Sequence, residues 1–171
     1  MTALPQTSRQ NATARSSATP VTINAAFFEE IKEAHGEVAA KMDEILRAGR
    51  HTSWTESRCS RLTEQFDQLV ELVGLYFALE EAYGYFDDPV YVSACYSDRV
   101  HQLRDQHRGL FLALSRIRDH AARLLYNGRL ADSIDAILSR LYVFCDQLDQ
   151  HERRERELIT EAFSADIGCC D

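Results

Sequence analysis

Apolar residues that recur at steps of three and four through four separate runs restrict this chain to long helices that each hide one face. The first run is Phe28, Ile31, Val38, Met42 and Ile45, and the segment from Ala48 to Thr52, with Gly49 in it, stops the helix. The second is Leu62, Phe66, Leu69, Val73 and Tyr76, beginning near Ser53 or Thr55 and ended by Gly84 and Asp87-Asp88-Pro89. The third runs through Val100, Leu103, Leu110, Leu114, Ile117, Ala121 and Leu124 and closes on Asn127-Gly128, a strong helix-stop pair. The fourth, Ile134, Ile137, Leu141, Phe144, Leu148 and Leu158, starts near Asp132 or Ser133 as a cap and stops before Gly168.

Short or moderate links make consecutive helices run antiparallel. The expected fold is therefore all-α: an antiparallel up-down-up-down four-helix bundle. Only 7 Gly and 3 Pro in 171 residues agree with helices rather than with strands and turns. That length suits one core, assigned to residues 23–165, between an arm at 1–22 and a C-terminal tail at 166–171. The arm, rich in Ser, Thr, Ala, Gln and Arg with little to bury, is expected to be disordered.

Composition narrows function by exclusion. A net charge of −8 leaves no basic stripe to release phosphate counterions, so nucleic acid is not an expected partner. No segment approaches the ~20 consecutive apolar residues that cross a bilayer, and the N-terminus lacks the apolar core of a secretory signal. No membrane association and a cytoplasmic location are expected. The five cysteines, Cys59, Cys95, Cys145, Cys169 and Cys170, follow no paired spacing, which points to reduced thiols rather than a zinc or disulfide framework. Cys169 and Cys170 are assigned no site.

Each apolar run carries titratable groups where core residues belong. His35 occupies the first seam, Tyr76 and Glu80 the second, His107 the third, and His151 with Glu155 the fourth. An unpaired imidazole or carboxylate in a core costs several kcal/mol, so these groups need a common partner. A cation satisfies them, and mixed carboxylate and imidazole donors suit iron or manganese in a bundle core. The pairs Tyr76/Glu80 and His151/Glu155 have the i, i+4 spacing that lets both members reach one ion. Tyr76 either ligates directly or is a buried aromatic with its hydroxyl on Glu80. Glu81 is expected to leave the seam for solvent, with His51, His101 and His120 also at the surface.

The same residues resemble the hemerythrin-like (HHE cation-binding) family, over about residues 24–165. That family shows a His on its first helix, His-Phe-x-x-Glu-Glu on its second, a His near the middle of its third and His-x-x-x-Glu on its fourth. The corresponding segments here are Glu33-Ala34-His35, Tyr76-Phe77-Ala78-Leu79-Glu80-Glu81, Gln106-His107-Arg108 and His151-Glu152-Arg153-Arg154-Glu155. The resemblance implies a non-haem di-iron centre, with a mononuclear site or another transition metal as the variant. It also implies a diatomic ligand or peroxide as partner. Three departures stand out: Tyr76 replaces the second-helix His, Phe111 stands where oxygen carriers have a further His, and Arg156 stands where they have the fourth-helix carboxylate. A sensing, storage or redox role is therefore expected rather than reversible oxygen carriage.

No catalytic acid, base or nucleophile stands outside that set, so enzymatic status is left open. The competing readings are a histidine-phosphotransfer bundle, whose His must face solvent, and a metal-free interaction module in which Tyr76 marks a decayed site.

Overall fold

The structure, a computed structural model, describes residues 25–51, 53–83 and 94–168. It contains α1 (Ala25–Ala48), α2 (Glu56–Tyr83), α3 (Ala94–Tyr126), a single 3-10 turn (Ala131–Ser133) and α4 (Ile134–Gly168), with no strand among the described residues. The chain is an all-α four-helix bundle.

Local chemistry sets the helix ends. Thr55 caps α2, its Oγ1 accepting the Arg58 N–H at 3.4 Å. After α3 the chain turns at Gly128, with φ of 67°, which a glycine adopts without Cβ strain. There Gly128 N–H donates to the Leu125 carbonyl at 2.9 Å and Arg129 N–H to the Leu124 carbonyl at 2.8 Å, satisfying carbonyls that the helix leaves open. Leu130 then re-enters the core at 1% exposure and leads through the 3-10 turn into α4.

Cross-helix contacts fix the direction of every neighbour. Lys41 meets Gln68 and Glu44 meets Gln65, so α1 and α2 run oppositely. Arg118 with Asp67 and His107 with Glu81 set α3 against α2, and His120 with Arg140 and Gln106 with His151 set α4 against α3. The bundle closes on itself through Met42 with Cys145 and His35 with Glu152, between α1 and α4.

The inner faces form one large cluster that includes Val38, Ile45, Phe66, Leu69, Val73, Leu114, Ile137, Leu141 and Phe144. A smaller cluster of Val100, Leu103 and Leu158 lies beyond it. On α3 the order is Leu103, His107, Leu110, and on α4 it is Leu148, His151, Glu155, Leu158. The polar groups therefore lie where the apolar core is interrupted.

The expected arm at 1–22 lies outside the described residues, as do the side chain of Phe28 and the cysteines Cys169 and Cys170. Helix α4 continues to Gly168, into the stretch expected to be tail. No described helix is long and apolar enough to cross a membrane.

Candidate metal centre

Helix α2 brings Glu80, α3 brings His107, and α4 brings His151 and Glu155 to one point, and all four are buried. One donor atom from each lies within 4.8 Å of the other three. His107 Nε2 and His151 Nε2 are 3.0 Å apart. Glu80 Oε2 stands 3.4 Å from His107 Nε2, and Glu155 Oε1 stands 3.4 Å from His151 Nε2 and 3.7 Å from His107 Nε2. Neither of these two carboxylate oxygens receives a hydrogen bond. The spacing of Glu155 to His151 follows from one helical turn, which stacks the i and i+4 side chains.

Two buried carboxylates at this separation cannot both be charged cheaply. Burial, and then the charge of Glu155, pushes Glu80 up to about 9. Burial acts on Glu155 in the same sense, but the imidazoles of His107 and His151 outweigh it and hold that carboxyl below the ordinary range. Glu80 therefore carries a proton at neutral pH in the metal-free protein. Its folded value exceeds its unfolded one, so the stability it contributes is present below about pH 4.5 and is lost as pH rises toward about 9. Urea denaturation in chelator is expected to show stability falling across that window. Glu80→Gln is expected to flatten the slope, and an unchanged slope would count against the buried carboxyl.

Tyr76, 3% exposed, sits one turn before Glu80 and beside it. Burial and the neighbouring Glu80 charge raise the phenol above its ordinary range, so it stays a neutral hydroxyl in the absence of a cation. His35 lies on the open side: its side chain is 43% exposed and its Nε2 is 3.0 Å from Glu152 Oε1. Its ring is 5.7 Å from that of Tyr76. Of the six residues expected from the seams, four converge on one point, while Tyr76 contacts that group through Glu80 and His35 pairs outside it.

Three further residues join the site without lying on a seam. Glu81, expected in solvent, instead places Oε1 3.0 Å from His107 Nδ1. Gln106 Oε1 lies 3.1 Å from His151 Nδ1, and Glu152 is the buried partner of His35. Each directly neighbours a seam residue in sequence, and the ~100°-wide inner face of a packed helix includes such flanking positions. Phe111 turns away, filling the space beside Gly74, where a Cβ would meet the ring at 3.2 Å. His51 is exposed beside Trp54, His101 is exposed, and His120 accepts a hydrogen bond from Arg140.

Two imidazole nitrogens and two carboxylate oxygens, buried and convergent, form a donor set that can hold a transition-metal ion. The two oxygens that receive no hydrogen bond are the strongest sign of fit, because imidazoles at 3.4–3.7 Å offset less of their desolvation than a cation would. The chain matches no family model, no curated protein and no solved structure.

Proposed function

We propose that this chain is a hemerythrin-like non-haem iron protein that binds or senses dioxygen, nitric oxide or peroxide, or handles iron itself. The observation that carries the reading is the pair of buried oxygens of Glu80 and Glu155 that receive no hydrogen bond and face the Nε2 atoms of His107 and His151. Those four residues would hold one ion. His35 and Glu152, with Tyr76 beside His35, are the donors available to a second, which is why a di-iron centre is the preferred form.

Bound iron would supply open coordination positions and a change of oxidation state. The protein's own part is to hold, orient and keep dry. Phe77 covers His107 face to face at 4.3 Å and meets His151 edge-on at 6.0 Å, shielding the inner side. The outer side, through half-exposed His35, is the route by which a small ligand would reach the centre. Among the described residues the convergent metal-ligating side chains are those of this cluster, and binding or sensing suits it better than turnover.

Phosphotransfer is poorly supported, since a phosphoacceptor must meet solvent. His107 and His151 are 2% and 1% exposed, and His35 faces the Glu152 carboxylate.

Metal content by plasma mass spectrometry, on tag-free protein produced with iron, together with its visible spectrum, tests the reading. About two irons per chain are expected. About one would restrict the centre to the four converging residues, and none in a folded protein would overturn the proposal in favour of the metal-free interaction module.

A further inference from the structure

The two imidazoles at the centre are each gripped at the far nitrogen, and the grips differ in charge. His107 Nδ1 faces a carboxylate oxygen of Glu81 at 3.0 Å, whereas His151 Nδ1 faces the side-chain amide of Gln106 at 3.1 Å. An ionised carboxylate only accepts hydrogen bonds, so His107 meets Glu81 with its Nδ1–H and turns the Nε2 lone pair inward. An amide can accept through its oxygen or donate through its nitrogen, so Gln106 suits either tautomer of His151. In the metal-free protein this difference is useful. With His107 Nε2 as acceptor, and with the Gln106 amide turned so that its nitrogen rather than Oε1 meets His151 Nδ1, His151 Nε2–H can donate across their 3.0 Å separation, and the close approach of the two nitrogens is then a hydrogen bond rather than a clash of lone pairs.

The rest of the surroundings repeats the asymmetry. Phe77 lies parallel to the His107 ring, at 6° between planes, but is nearly perpendicular to His151, at 79°. Glu81 is itself 3.7 Å from Arg104 one turn away on α3, which steadies the carboxylate from the solvent side. His107 is therefore held by an anion at its edge and a ring on its face, while His151 is held by a neutral group that can serve it in two ways.

We propose that Glu81 is a positioning residue of this centre. Its carboxylate sets the tautomer and ring orientation of His107, making His107 the preformed donor around which a divalent transition-metal ion is assembled, while His151 changes tautomer on uptake. The affinity part rests on the metal reading above. The tautomer part does not.

Two measurements on the full chain separate them. Nitrogen NMR of histidine-labelled, metal-free protein, with the imidazoles neutral, reports which ring nitrogen carries the proton. A zinc(II) titration against a competing chelator dye reports affinity. In the native chain His107 is expected to show a protonated Nδ1 and a bare Nε2. Glu81→Ala is expected to lose that single tautomer and weaken zinc binding by about 10–100-fold, the usual cost of removing an outer-shell partner. Glu81→Gln, which can still accept from Nδ1–H, is expected to restore part of both. Because Glu81 is only half-buried, circular dichroism should show both variants folded. A native His107 protonated on Nε2 would overturn the proposal, as would a Glu81→Ala chain that keeps both the tautomer and the zinc affinity. Failure of the native chain to bind zinc would remove the affinity claim with the metal reading, and the NMR arm alone would then decide the role of Glu81.

Discussion

Replacing Glu155 by Leu is expected to leave the bundle folded and to abolish its hold on metal. Glu155 is 7% exposed and its Oε1 stands 3.4 Å and 3.7 Å from the imidazoles that hold its carboxyl below the ordinary range, so an apolar side chain of similar volume removes that contact together with its desolvation cost. In chelator the variant should fold and melt somewhat below the native chain at neutral pH, because it lacks the carboxylate that the imidazoles hold. With metal present the gap should widen, because only the native chain gains ligand-binding free energy. Loss of an outer-shell partner already costs about 10–100-fold in metal affinity, so loss of a direct donor should exceed about 100-fold. His107→Ala is expected to match that loss, at the further cost of a cavity against Phe77. Equilibrium dialysis against zinc or ferrous iron, paired with thermal melts, checks both. Retention of metal by either variant would remove the four-residue centre as the binding site.

Phe66→Ala should give the largest loss of stability in the chain, about 3–5 kcal/mol, since the ring is fully buried in the main cluster and its removal leaves a cavity. For a protein of this size that corresponds to a fall of about 10 °C or more in melting temperature. Leu75→Ala, about two and a half turns further along the same helix and 52% exposed, should stay within about 0.5 kcal/mol of the native chain. Comparable effects from the two would mean that Phe66 does not face the core. The contrast tests the rotation of α2, and hence the facing of Glu80, without invoking metal.

The helices were legible from the spacing of apolar residues because a 3.6-residue repeat is a property of each helix alone. Phe66, Leu69 and Val73 had to share a face whatever they packed against. The stop signals were equally local, as Gly128 shows by taking the left-handed turn that ends α3. The same reasoning picked out Glu80, His107, His151 and Glu155, since a seam residue is inward by construction and an inward charge requires a partner. It also raised the resemblance to hemerythrin-like proteins.

Which inward groups meet at one point was a matter for the tertiary structure. His35 belongs to a seam as clearly as His107, yet one is 43% exposed beside Glu152 and the other 2% exposed at the centre. That difference depends on how far each helix is rotated and how closely it approaches its neighbours, quantities that periodicity leaves open. Tyr76 lies beside Glu80, and burial keeps it a neutral phenol, so its seam position led to a carboxylate rather than into the group of four. Glu81, Gln106 and Glu152 were hidden for a related reason. Each flanks a seam, and whether a long flanking side chain reaches solvent or an imidazole is decided by the helix packed opposite it. The sequence by itself thus determined the bundle and the charged residues its core had to accommodate. Only the packing of the four helices decided which of them converge and which hold the others in place.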